Sequence, residues 1–306
     1  MPTQAEQPAF DELEKIIAQM EADTGRNDFR SHQETLKSAL SILPSLSSII
    51  FECPNPFRHP ILRKCWEEYD YQVITGPVAQ GAYIFNILLA AKESGLKIRH
   101  FTHERLVALY FSTDLPLRLI ANGLTSELES LSLNILDFYG NFTTVAQSEL
   151  FQELLVASPK LRKLDVSFEG FATVPVTLLP KFHFPYLESL SIFANCMGTA
   201  SEQVFDFIAL HTATLRQLQI FSLKFEGGGT FQGFLERLRG GLGATLERFQ
   251  ICGSIMEGDK EIFVFPYYNK DWTPYKNPRN TVAKEIEDFV LNDGPWPDLS
   301  MNMPPW

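Results

Sequence analysis

His100 and His103 stand three residues apart, the spacing at which two imidazoles on one helix face can share a divalent metal. Ile98 and Phe101 instead set them on or beside a strand, and neither further ligands nor an HExxH motif accompany them, so they read as surface or edge histidines. Gly227-Gly228-Gly229 precedes a helical pattern, as a phosphate cradle does, but matches neither glycine-rich nucleotide motif and reads as a turn. Cys196 and Cys252 each follow a strand candidate without a base or cation beside them to favour a thiolate, so both read as buried packing residues. Arg58, Arg63 and Lys64 form a short basic loop of the kind that is solvated, and the aromatic run from Phe263 to Tyr275 reads as a cover for a terminal core layer rather than a peptide groove. A hydrolase or metal-dependent activity through His100, His103 or His183 is the enzymatic alternative. With no catalytic signature to support it, the expectation is a non-enzymatic protein without cofactor or metal.

The elements that would position such residues come from a chain of 306 residues, 45% apolar and 21% charged, ample for a large core. Lys and Arg total 26 against 37 Asp and Glu, a net charge of -11, the wrong sign for neutralising phosphates, so no nucleic-acid partner is expected. Four dispersed cysteines fit a reducing compartment, the N-terminal residues do not read as a signal peptide, and no apolar run spans a bilayer. These point to a soluble cytoplasmic or nuclear protein with no membrane partner.

One phrase recurs, an apolar residue followed by others at +3 and +5: LESLSL from Leu128, LRKLDV from Leu161, LESLSI from Leu187, LRQLQI from Leu215 and LERFQI from Leu246. The intervals of 33, 26, 28 and 31 residues lie near the 20 to 29 usual for leucine-rich repeats. Weaker copies occur at Leu46-Ile49-Phe51 and Ile98-Phe101-His103. The second and third apolar residues alternate inward on a short strand and the first anchors the incoming turn. A single unit cannot bury that edge, so the units must stack with parallel strands. Helix signals fill the gaps: Thr144-x-x-Gln147 before Leu150, Phe151, Leu154 and Leu155; Thr199-x-x-Glu202 before Val204, Phe205 and Ile208; and Phe231, Phe234, Leu235 and Leu238, stopped by Gly240-Gly241.

The fold expected is α/β, a leucine-rich-repeat-like solenoid with parallel strands on the concave face and helices on the convex face. Residues 1–42 form a helical N-terminal cap, 43–256 the irregular solenoid with an insertion at about 53–94, and 257–306 an aromatic- and Pro-rich C-terminal cap in which Val282, Ile286, Phe289 and Val290 form a helix ending at Asn292-Asp293-Gly294. Residues between the buried anchors must then point to the concave side: Ser130, Ser132 and Asn134; Lys163, Asp165 and Ser167; Ser189, Ser191 and Phe193; Gln217, Gln219 and Phe221; Arg248, Gln250 and Cys252. Hydroxyls, amides and two aromatics in aligned rows suit recognition of another protein.

The five hexamers, the CPNPFRHP segment at 53–60 and the phrase IEDFVLNDGPWP at 286–297 resemble the leucine-rich-repeat portion of fungal F-box-type proteins, over roughly residues 30–300. The resemblance implies a substrate-recognition component of a cullin-type ubiquitin ligase, docked through N-terminal helices on a Skp-type adaptor. No F-box is recognisable: the only early Leu-Pro, Leu43-Pro44, leads into the first strand candidate. The Asn or Cys usual at the ninth repeat position is also replaced by Leu136, Glu169, Leu223 and Ser254, with only Asn195 fitting. The alternative is a stand-alone repeat scaffold unrelated to ubiquitin.

Overall fold

The computed structural model describes residues 30–43, 45–51, 87–107, 111, 123–137, 145–170, 179–194, 199–225, 229–242, 245–266 and 281–299, with Asp11 and Lys15. In chain order the elements are α1 (Arg30–Ser41), β1 (Ser48–Phe51), β2 (His100–Val107), β3 (Ser130–Asp137), α2 (Val145–Val156), β4 (Lys163–Gly170), β5 (Ser189–Ala194), β6 (Thr199–Ala200), α3 (Ser201–Ala209), β7 (Gln217–Phe225), α4 (Phe231–Leu242), β8 (Arg248–Glu257), β9 (Lys260–Val264) and α5 (Val282–Leu291). Residues 87–93 are also helical. The fold is α/β with one mostly parallel sheet in the order β1-β2-β3-β4-β5-β7-β8-β9; β6 pairs with β7 off this path.

Every hexamer becomes the start of a strand at its third residue. The anchor leucine lies in the turn before it: the N–H groups of Leu128, Leu161 and Leu187 donate to Thr125, Ser158 and Phe184, three residues back. The next two apolar positions then fall on one side of the pleat, and parallel pairing holds them in register across the sheet. One core row runs Ile49, Phe101, Leu131, Leu164, Leu190, Leu218 and Phe249; the next runs from His103, whose backbone partner is Phe51, through Leu133, Val166, Ile192 and Ile220 to Ile251. All fifteen anchors of the five hexamers are buried. At about 1.5 to 3 kcal/mol per fully buried Leu or Ile, these rows are the main cohesive term of the stack.

The strands run on to 8 residues in β3 and β4, 9 in β7 and 10 in β8. The missing ninth-position Asn or Cys explains part of this extension: Leu223 occupies that place in its unit and is fully buried, so the chain stays extended to use it. The helices cover the core rows. Phe151 of α2 meets Phe111 and Phe168 edge-on, with centroids 5.6 and 6.3 Å apart. Arg237 of α4 places its guanidinium 3.6 Å from the centroid of Phe205 on α3 and also bonds Glu202. Two sequence expectations shift here. Thr199 does not cap α3 but lies in β6, paired with Leu223, and the helix starts at Ser201. Gly240 and Gly241 do not stop α4, which runs through both to Leu242. Thr144 lies outside the described residues.

Both ends of the sheet carry helices. Leu36, Ala39 and Leu40 of α1 are buried, and Ser94 Oγ donates to the Lys37 carbonyl at 2.8 Å, tying α1 to the helical turn before Gly95. At the other end β9 returns antiparallel to β8. Val282, Ile286, Phe289 and Val290 of α5 are buried, and Glu287 accepts the N–H of Phe249 at 3.5 Å. The helix ends where Asn292-Asp293-Gly294 predicts, with the N–H groups of Asn292 and Gly294 both donating to the Asp288 carbonyl. No helix among the described residues is long and apolar enough to cross a membrane.

Candidate functional site, the open face of the sheet

The face away from the helices carries three polar rows. The first runs Ser48, His100, Ser130, Lys163, Ser189, Gln217, Arg248; the second Ile50, Thr102, Ser132, Asp165, Ser191, Gln219, Gln250; the third Asn134, Ser167, Phe193, Phe221, Cys252. Strand pairing therefore brings the fifteen expected residues together in the expected rows. Their exposure is uneven. Lys163 and Arg248 are exposed, while Ser130, Ser132, Asn134, Asp165, Ser167, Ser189, Phe193, Gln217 and Phe221 are half-buried. Ser191 is 8% exposed, and Gln219, Gln250 and Cys252 are each 1% exposed. The last three lie in the expected rows but are packed away from solvent in this conformation. Burial pushes the Cys252 thiol far up, so it stays protonated and inert.

The first row holds no acid. Lys163 and Arg248 carry its permanent charge, and neither has an ion-pair or hydrogen-bond partner among the described residues. In the second row Ser132 Oγ donates to Asp165 Oδ2 at 3.1 Å. Ser191, beside it on β5, has a buried hydroxyl oxygen without a hydrogen-bond partner among the described residues. In the third row the rings of Phe193 and Phe221 lie 5.2 Å apart and within 9° of parallel.

A local irregularity supports that ring pair. The step from Phe221 to Leu223 on β7 faces the step from Cys252 to Ile255 on β8, so one strand carries an extra residue and the ladder breaks. Ser222 has φ 65°, rare for a residue with a side chain, and Gly253 has φ 82°. A Cβ at Gly253 would lie 2.7 Å from Ser222 Oγ and 2.9 Å from Phe221 Cε1, so only glycine admits the ring where it is. Ser222 Oγ accepts the N–H of Ser254, satisfying a donor released by the bulge.

The residues with chemical spacing disperse. His100 is exposed on the first open row, whereas His103 occupies a core row: an odd separation on a strand puts the two imidazoles on opposite faces, so they cannot ligate one ion. Burial pushes His103 down to about 4, keeping it neutral. His183 is exposed, and its ring stacks on that of His211 with centroids 5.5 Å apart. His211 is fully buried; its Nε2 accepts the Phe184 N–H at 2.9 Å and its Nδ1 donates to the Phe207 carbonyl at 2.7 Å. Cys196, Gly227, Gly228, the basic loop around Arg58, Arg63 and Lys64, and residues 267–280 of the aromatic run lie outside the described residues.

One feature of the repeated phrase escapes a reading based on its apolar residues. The position before β2, β3, β4, β5, β7 and β8 alternates in charge without a break: Arg99, Glu129, Arg162, Glu188, Arg216, Glu247. Each N–H in this series donates to the carbonyl of its predecessor, at 2.7 to 2.8 Å, so the six residues form another row. Arg99 pairs with Glu129 at 3.6 Å and Arg162 with Glu188, while Arg216 turns to the Thr245 carbonyl. The signal was present in the second letter of every hexamer. Comparison of the chain with protein-family models, curated proteins and solved structures finds no match.

Proposed function

We propose that this protein is a non-enzymatic recognition module, a leucine-rich-repeat-type solenoid whose concave strand face holds a segment of another protein. The observation that carries the reading is the asymmetry of the sheet. One face is sealed by in-register apolar rows, and the other presents aligned side chains, several of them uncommitted. Rows of hydroxyls, amides, two cations and a ring pair offer shape and hydrogen bonds over an extended surface, which is what protein recognition uses. In its finer form the reading makes the chain a relative of the substrate receptors of cullin-type ubiquitin ligases, with a Skp-type adaptor as second partner.

A second reading, a stand-alone scaffold unrelated to ubiquitin, draws support from α1. Its apolar stripe of Leu36, Ala39 and Leu40 is spent on the body of the protein instead of being held out for an adaptor. Affinity purification of the full chain from its native cells, with identification of the co-purifying proteins by mass, separates the two. An adaptor together with a cullin is expected from the first reading, and a different reproducible partner from the second. Combined replacement of Lys163, Gln217, Phe221 and Arg248 should abolish capture of the segment held on the strand face, though not of an adaptor docked through the N-terminal helices, while the melting curve stays unchanged. Capture of that segment that survives these replacements in a folded protein would place the binding surface elsewhere.

A further inference from the structure

Resting on the recognition reading above, the geometry of β4, β5, β7 and β8 points to the kind of segment bound: we propose an extended peptide with carboxylates at one end and an aromatic side chain about four residues along. Two observations converge on these four adjacent strands. Lys163 and Arg248 mark the two corners of the first row, exposed and without partners among the described residues. They stand three strand spacings apart, about 14 Å, so a carboxylate between them lies within reach of both long side chains. Of the acids around them, Glu129 is held by Arg99 and Glu188 by Arg162, Asp165 of the second row accepts the Ser132 hydroxyl, and Glu247 stands outside the row, before Arg248. Two bare cations on a chain of net charge -11 are a local reversal of sign, and an acidic segment is the complementary occupant.

At the other end of the same strands, four residues or about 13 Å away, the Phe193 and Phe221 rings form a half-exposed shelf. The bulge, the positive φ of Ser222 and the close approach of Gly253 hold the Phe221 ring in place, with its inner edge packed against the core. An aromatic side chain stacks on or packs against such a shelf. A nucleic acid would meet two cations against an overall field of the wrong sign. An apolar cavity of about 30 Å³ among the described residues lies on the core side and is no part of this surface.

The test is selection from a phage-displayed random dodecapeptide library on the full chain, followed by anisotropy measurements with the consensus peptide. The expected consensus carries Asp or Glu, with Phe, Tyr or Trp three to five positions away. Lys163→Glu with Arg248→Glu, both at exposed positions that leave the core untouched, should weaken that peptide by roughly tenfold or more and select basic residues instead. Phe221→Leu should keep the acidic preference and lose the aromatic one. Gly253→Ala should do the same by displacing the ring, provided its circular dichroism remains native. A consensus without acids, or an acidic one unaffected by the two charge reversals, overturns the proposal. Non-acidic peptides that Phe193→Ala or Phe221→Ala abolishes would leave recognition on this face standing. Absence of enrichment, or peptides insensitive to every replacement, would remove both. A synthetic peptide of residues 1–30, which carries Glu6 and Phe10 at the proposed spacing, is the competitor of choice. Its outcompeting the selected peptide would assign the site to the chain's own terminus and overturn the intermolecular form.

Discussion

The units at β2–β3 and those at β7–β8 are written in the same phrase and finished to different standards. Around β2 and β3 the core has a cavity of about 30 Å³ bordered by Leu88, Ile98, Phe101, Leu124, Leu128 and Leu154, and a histidine fills one core position. Around β7 and β8 the equivalent positions are Leu218, Ile220, Phe249 and Ile251, all fully buried, with α5 laid against the last strand. The difference shows that the phrase specifies a strand and its direction, while the quality of the core depends on which side chains fill the row and what the next layer supplies. It also aligns with the proposed site, since the ring shelf rests on the tightly packed end.

Truncation tests this contrast with the largest effect. Leu218→Ala, deep in the tight half, should cost about 3 to 5 kcal/mol, and Leu128→Ala, beside the existing cavity, about 2 to 3 kcal/mol, because the latter has fewer neighbours to lose. Urea midpoints for both variants at a constant slope measure it. Equal costs would show that the two halves are packed alike.

The two buried histidines sharpen the comparison at an intermediate scale. His103 titrates near 4 in the folded chain against 6.5 when exposed, so its contribution to stability is complete above pH 6.5 and is lost as pH falls toward 4, by about 3 kcal/mol in all. His211 is also lowered, chiefly by burial, and its acid loss has the same sign. Yet they are not equivalent. His103→Leu restores an apolar side chain to its row and should flatten the acid limb of stability. His211→Leu leaves the Phe184 N–H and the Phe207 carbonyl without their shared partner and should cost about 1 to 3 kcal/mol at pH 7. Denaturation midpoints at a series of pH values between 4 and 8 separate the two.

The smallest effect belongs to the charge row. Arg162→Glu should lower the melting temperature slightly, and adding Glu188→Arg should recover only the part due to the 162–188 pair, since like charges then meet at 129–162 and 188–216; the coupling is read from the double-mutant cycle and is weakened by salt. Coupling absent at low ionic strength would mean that the row is decorative.

Much of the fold is legible in the sequence because the stack is local arithmetic. The leucine at +3 and its neighbour at +5 must face one way, and the strands begin where the hexamers place them. Leu46-Ile49-Phe51 and Ile98-Phe101-His103, the two weak copies, are strands in register with the rest. Periodicity gives less warning of departures from it. Ser222 and Gly253 look like any serine and glycine until the bulge between β7 and β8 sets their backbones. Gln219 and Gln250 have the alternation of surface residues and are buried, since alternation assigns a face and says nothing of what lies over it.

The alternation from Arg99 to Glu247 also gives the stack a parity. A neighbour in the row is always of opposite sign, and the unit after that always of like sign. Removal of one internal unit would set two like charges side by side, whereas removal of two would leave the sequence of signs intact. The same rule penalises a folding chain that docks a strand one unit out of order. Growth or shrinkage of such a protein is therefore easiest in pairs, and the odd-numbered copy error carries its own electrostatic mark.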